Sequence, residues 1–148
     1  MILDERLEFC DATALNTGGA GSYLVGDVID LGSTSRDIGT GEELYLVIQV
    51  DTTATSGGSA TGAFHLASDA QAAIATDGTA TYHLSTAAIA VASLTAGTTV
   101  LAARLPSGTY ERYLGILQTT AVAAFTAGKI NAFLTKDIAK YTAYADAL

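Results

Sequence analysis

Two histidines, one cysteine and fifteen carboxylates are the groups with reactive chemistry in this 148-residue chain. His65 and His83 each sit in a run that reads as a strand, so each is expected to be solvated or satisfied within the fold rather than a ligand or general base. Two histidines complete a three-ligand zinc site only if a carboxylate joins them, and neither has one nearby at ligand spacing. Cys10 has Arg6 as its one neighbouring cation and no histidine beside it, so it lacks what activates a thiol. No serine stands in a Gly-x-Ser-x-Gly elbow. Asp4, Glu5, Glu8 and Asp11 form an acidic N-terminal set, whereas the adjacent Glu42 and Glu43 would point to opposite faces of a strand. A glycosidase can use two distant carboxylates, but the chain has no tryptophan and few aromatic residues to stack on a sugar. No Asp-x-Asp-x-Asp run offers alternating oxygen ligands to calcium. The loop Asn16-Thr17-Gly18-Gly19-Ala20-Gly21-Ser22 is followed by neither a Lys-Ser/Thr pair nor a helical pattern, so it reads as a plain loop rather than a phosphate cradle. The expectation is a chain with no catalysis, no metal and no cofactor.

The elements that carry these residues are expected to be strands. In Glu43-Leu44-Tyr45-Leu46-Val47-Ile48-Gln49-Val50-Asp51 the even positions are all large and apolar and the odd ones are mixed, which predicts one buried and one half-wet face. Each large aliphatic side chain fully buried is worth about 1.5–3 kcal/mol, so four on one face hold the register against a one-residue slip. Tyr23 to Leu31 predicts a strand with a bulge at Gly26, and Thr52 to Ser59 a loop. Asp69 to Ala75 predicts a single helical turn started by Ser68 or Asp69. Thr81 to Leu84, Ala88 to Leu94, Val100 to Leu105, Arg112 to Gln118 and Lys129 to Ile138 predict further strands. The segments 91–97 and 122–128 share one pattern, which predicts the same turn chemistry used twice. Roughly seven to nine short strands at this spacing predict an all-β fold, an antiparallel β-sandwich of jelly-roll type. The chain is expected to form a single domain over 1–148. Residues 1–15 would be an N-terminal arm or edge strand, and 139–148 a C-terminal tail whose Tyr141, Tyr144 and Leu148 fall at helical spacing.

The net charge is −8 and the seven Lys and Arg residues form no cluster, which disfavours nucleic acid and an anionic membrane surface as partners. The charge-free run between Asp77 and Arg104 is long enough to raise a membrane span, but Thr86, Ser93, Thr95, Gly97, Thr98 and Thr99 interrupt it. A lone cysteine precludes an internal disulfide. Charges at Asp4, Glu5 and Arg6 fall where a signal peptide would be apolar, so maturation in a cytoplasm is expected. The hydrophobic fraction of 49% is high beside 15% charged residues and hints at surface buried against other subunits.

The opening Met-Ile-Leu-Asp-Glu-Arg-Leu-Glu-Phe-Cys-Asp-Ala, the segments Val28 to Gly32 and Arg36 to Asp51, and the later Arg112-Tyr113-Leu114-Gly115 and Leu134-Thr135-Lys136-Asp137 occur in a consistent order. Together they resemble the capsid cement, or decoration, proteins of tailed bacteriophages, of the type known from Bordetella podophages. That resemblance implies a jelly-roll virion protein on the capsid exterior, assembled in the host bacterial cytoplasm. It also implies binding to an HK97-fold major capsid protein, stapling of neighbouring capsomers, and no catalysis or cofactor. The chain would pair with itself as a homodimer or homotrimer. The apolar arms, the strand over Glu43 to Asp51 and the Arg36 to Glu43 turn before it supply candidate capsid or subunit contacts: Ile2, Leu3, Leu7, Phe9, Arg36, Tyr45, Val47, Tyr141 and Tyr144. Removing residues 1 to 9 is expected to impair capsid binding and leave the sandwich folded. A phage fibre or adhesin-like sandwich that binds a carbohydrate receptor is the alternative.

Overall fold

The computed structural model describes residues 4–33, 36–38, 41 and 43–138. Its strands are β1 (Glu8–Ala14), β2 (Gly21–Asp30), β3 (Arg36–Ile38), β4 (Tyr45–Ser56), β5 (Thr61–Asp69) and β6 (Thr81–Ser85). They continue with β7 (Ile89–Ala90), β8 (Thr99–Arg104), β9 (Gly108–Tyr110), β10 (Tyr113–Ala121) and β11 (Phe125–Thr135). Two antiparallel sheets, β1-β11-β4-β8 and β2-β10-β5-β6, face each other, with β7 added to β5 and a separate β3-β9 ribbon. Strands β1, β2, β4 and β5 alternate between the sheets, β6 returns beside β5, and β8, β10 and β11 alternate again so that the first strand pairs with the last, which is the double Greek key of a jelly roll.

The sequence dictates this through period two. Leu46, Ile48 and Val50 on β4 and Ile130, Ala132 and Leu134 on β11 all point inward and are at most 3% exposed. They meet Phe64 and Leu66 from β5 and Leu114 and Ile116 from β10 in one core. Gly26 provides the bulge expected in β2. Its φ is +77°, and a Cβ there would collide with the Phe9 carbonyl and the Cys10 sulfur of β1, so only glycine lets the two sheets close at that corner. A second, smaller cluster forms where residues 70–80 fold over the outer face of the β2-β10-β5-β6 sheet and bury Ile74 and Ala80 against Leu117 and Ala67.

Several expectations need correcting. The odd face of β4 is buried rather than half-wet: Val47 is 1%, Gln49 3% and Asp51 6% exposed. β4 lies between β11 and β8, so Val47 is covered by its cross-strand neighbours, with Phe133 opposite it. The strand also runs on to Ser56, where a loop was expected from Thr52. Pairing with β11 continues there, and Ser56 Oγ donates to the Ala124 carbonyl at 2.7 Å. No helical turn forms over 69–75. The Asp69 carboxylate instead accepts from the Gln71 amide at 3.2 Å and the Ala75 amide at 2.9 Å, which holds the segment in successive bends. The two echoed segments also differ. Val91–Ser93 is a 3-10 turn, whereas Phe125 to Gly128 is already strand. The predicted strand over 88–94 shrinks to the two residues of β7.

Four connections meet at one end of the sandwich: residues 15–20, 57–60, 86–98 and 122–124. Their proximity is fixed by the pairs Thr120↔Gly21, Ala121↔Thr61 and Thr61↔Ala90 and by the Val91 amide donating to the Ala60 carbonyl at 2.9 Å. Buried Gln118 secures the first of these loops. Its Oε1 accepts from the Asn16 amide at 2.9 Å, and its Nε2 donates to the Asn16 carbonyl at 3.1 Å and to Thr120 Oγ1 at 2.8 Å.

Candidate functional site

Both histidines and the cysteine are bound into the fold. His65 lies on the outer face of β5. Its Nδ1 is 2.8 Å from Ser85 Oγ, its Nε2 is 3.2 Å from Thr119 Oγ1, and Thr119 Oγ1 is 2.9 Å from Ser22 Oγ. The ring stacks on Tyr82 at 4.7 Å, so one hydroxyl–imidazole row crosses β2, β10, β5 and β6. His83 Nε2 is 2.7 Å from the Oγ of fully buried Ser68, and its ring stacks on Tyr110 at 3.9 Å. Ser68 Oγ also accepts from the Glu111 amide at 3.2 Å, and the Tyr110 hydroxyl donates to the Pro106 carbonyl at 2.6 Å. Burial lowers the pKa of both histidines, and the charge of Glu111 partly opposes this at His83. Both are therefore biased toward the neutral form. A serine beside a histidine is half of a nucleophile–base pair, yet the third member facing His65 is a neutral hydroxyl, which cannot stabilise an imidazolium as a carboxylate would.

Cys10 faces the core at 2% exposure, and its Sγ donates to the Val25 carbonyl at 3.5 Å. Burial pushes its thiol up to about 12, and Asp27 and Glu8 add to the rise, so at neutral pH it is a protonated, inert side chain. Beside it opens a cleft of about 350 Å³ lined by Glu5, Glu8, Phe9, Cys10, Asp11, Thr13 and Asp27. Glu8 is raised above the ordinary carboxylate range, first by burial and then by the charges of Asp11 and Glu5. Among the described residues no group of three or more His, Cys, Asp or Glu is placed to hold a metal ion.

The contact residues named from sequence fall in different places. Ile2, Leu3, Tyr141 and Tyr144 lie outside the described residues. Leu7 ends a 3-10 turn capped by the Asp4 carboxylate and packs half-buried against the core. Phe9 is 1% exposed inside the sandwich, and Val47 1%, so both side chains are used within the chain itself and leave the docking surface. The physical reason is β1, which pairs with β11 as an edge strand and turns Phe9 and Cys10 toward β2. Removing residues 1 to 9 therefore excises part of the core. A truncation that isolates the role of the arm ends before Asp4. Arg36 pairs with Tyr110 along the β3-β9 ribbon. Tyr45 is half-buried, and its hydroxyl donates to Glu43 at 2.7 Å while Glu43 lies 3.4 Å from Arg104.

Val122, in the echoed segment 122–128 but not among the candidate contacts, is 77% exposed at the tip of the β10–β11 hairpin with φ +70°. The Ala123 amide donates to the Ala121 carbonyl at 2.9 Å across it, closing a three-residue turn that strains a β-branched centre. A signal for this end of the molecule was present: none of the chain's charged residues falls within 12–26, 52–68, 78–103 or 113–128, and these segments contain all four loops gathered there.

No curated protein matches the chain. The model of the Bbp16 family, a Bordetella phage protein family, matches residues 9–134. The match begins within β1 and ends within β11, so it takes in both sheets of the sandwich, and the chain belongs to the Bbp16 family.

Proposed function

We propose that this protein is a capsid decoration protein, which binds the outer surface of a phage shell and staples neighbouring capsomers. The observation that carries the reading is the extent of the family match: the unit shared with a phage protein family is the complete jelly roll and not a module within it. Packing agrees with it. The histidines and the cysteine are engaged in holding strands together, so the sandwich works as a stiff block whose outside does the binding. The partner in this reading is the major capsid protein, with a second copy of the chain as dimer or trimer partner. Weak contacts then suffice, because repetition around a closed shell multiplies them.

The test mixes the purified protein with purified expanded shells and measures co-sedimentation and the heat stability of the shells. Saturable binding at a fixed ratio to the shell protein, with shells that resist heat better, supports the reading. Protein that stays in the supernatant at all concentrations refutes it.

A further inference from the structure

We infer that the edge strand β6 is a proton-operated clasp: acid frees it from β5, starting at its Thr81 end, while the rest of the sandwich stays closed. β6 is the last strand of the β2-β10-β5-β6 sheet, with β5 as its ladder neighbour. The pairs Ala67↔Tyr82 and Leu66↔Leu84 leave His83 as the extra residue of a bulge, so the main-chain ladder is interrupted where this side chain stands. Two reciprocal side-chain bridges fasten the strands instead. His65 of β5 reaches Ser85 of β6 at 2.8 Å, and His83 of β6 reaches Ser68 of β5 at 2.7 Å. A tyrosine ring stacks on each imidazole, Tyr82 on His65 at 4.7 Å and Tyr110 on His83 at 3.9 Å. Just past Ser85 the chain is pinned again: the Thr86 amide donates to the Phe64 carbonyl at 2.9 Å, and Thr86 Oγ1 accepts from the Phe64 amide at 3.0 Å. Thr86 is therefore the hinge and His83 the catch.

The catch works with a neutral ring. Ser68 is fully buried and its Oγ accepts from the Glu111 amide at 3.2 Å, which leaves its own proton to donate to His83 Nε2. A proton added to Nε2 sets two hydrogens on one 2.7 Å line. The Ser68 hydroxyl then has to turn away inside the fold, where an unmet donor is costly. His65 responds more mildly. Its neutral ring accepts from one of Ser85 and Thr119 and donates to the other, and a second proton reverses one of these bonds. Burial disfavours the charged form of both rings.

Neighbouring charges compensate little. Around His83 stand Tyr110 from β9, Glu111 from the turn after it, and Asp69 beside Ser68. The Glu111 charge favours an imidazolium, but its carboxylate already accepts from Thr81 Oγ1 at 2.8 Å, and the Asp69 carboxylate accepts from the Gln71 and Ala75 amides. Around His65, β6 contributes Tyr82, and neither β6 nor β10 carries an Asp, Glu, Lys or Arg residue. Asp30 of β2 and Asp69 of β5 both pair with Tyr113, four positions along β10 from Leu117, the partner of His65. When β6 swings out, both imidazoles gain water and titrate near the ordinary 6.5. Each histidine then makes opening easier by up to about tenfold for every pH unit below that value.

The test is hydrogen–deuterium exchange of the intact chain at pH 7, 6 and 5, corrected for the intrinsic rate, for wild type, His83→Gln and His83→Phe. Glutamine keeps a hydrogen-bonding end that does not titrate, and phenylalanine keeps a ring on Tyr110. In wild type the protection of residues 81–85 is expected to fall about tenfold or more between pH 7 and pH 5, while 46–50 and 130–134 keep theirs. The fall is expected to shrink at least threefold in both variants. A variant already open at pH 7 shows His83 holding β6, and it opens no further with acid. Unchanged protection of 81–85 in wild type overturns the inference. So does an equal loss in 46–50 and 130–134, or a fall in either variant within threefold of the wild-type fall.

Discussion

Replacing Phe9 with alanine separates the two roles that an apolar residue near the N-terminus can play. Phe9 is 1% exposed and belongs to the main core with Val25, Leu66 and Ile116. Truncating a buried phenylalanine removes its transfer free energy and leaves a cavity, with a typical cost of about 3–5 kcal/mol. β1 is an edge strand paired only with β11 and is able to relax into part of the space, so the lower figure, about 3 kcal/mol, is expected. For a protein of this length each kcal/mol moves the melting temperature by about 2–4 °C, which gives a drop of about 6–12 °C. Thermal unfolding followed by circular dichroism reads this directly, and Phe9→Leu should recover most of the loss. A melting temperature within about 1 °C of wild type, together with lost shell binding, would show that Phe9 faces a partner and that the edge-strand assignment is wrong.

Three further outcomes are expected. Cys10 should resist thiol reagents in the native protein at pH 8 and react at once in denaturant; because burial raises its pKa to about 12, its contribution to stability is present below pH 9.0 and lost as pH climbs toward 12. Both histidines have lowered pKa values, so the unfolded chain takes up protons first as pH falls below 6.5 and stability declines there; melting temperatures recorded between pH 7 and pH 5 should fall less for the double variant His65→Gln/His83→Gln than for wild type, and an equal slope would refute the burial argument. Gln49 is 3% exposed and its Nε2 has no hydrogen-bond partner among the described residues, so Gln49→Leu, which removes that donor, should raise stability by about 1 kcal/mol in denaturant titration, and a loss of that size would show that the amide is satisfied.

Much of the fold was legible because period-two patterning survives wherever one face meets the core. Leu46, Ile48 and Val50, and Ile130, Ala132 and Leu134, were assignable to the interior from spacing alone, and Gly26 marked its own bulge. Features that depend on neighbours distant in sequence were not legible. Val47 looked like surface because its cover comes from Phe133, a residue 86 positions away. Residues 69–75 had helix propensity, but the Gln71 and Ala75 amides donate to the Asp69 carboxylate and hold them as bends. Phe9 looked like an arm residue because its alternation is that of any edge strand, and only the pairing of β1 with β11 turns it inward. Val122 was hidden by its type, since valine is read as strand, whereas its backbone occupies a turn position suited to glycine. The uncharged end was visible as four separate charge-free stretches, but the jelly-roll order was needed to bring them together.

The most direct test of the central claim is electron cryomicroscopy of virions from a phage that encodes this chain. The decoration role requires the density of this jelly roll on the outer surface of the shell. Its density on a tail fibre, or its absence from the particle, would contradict the decoration role.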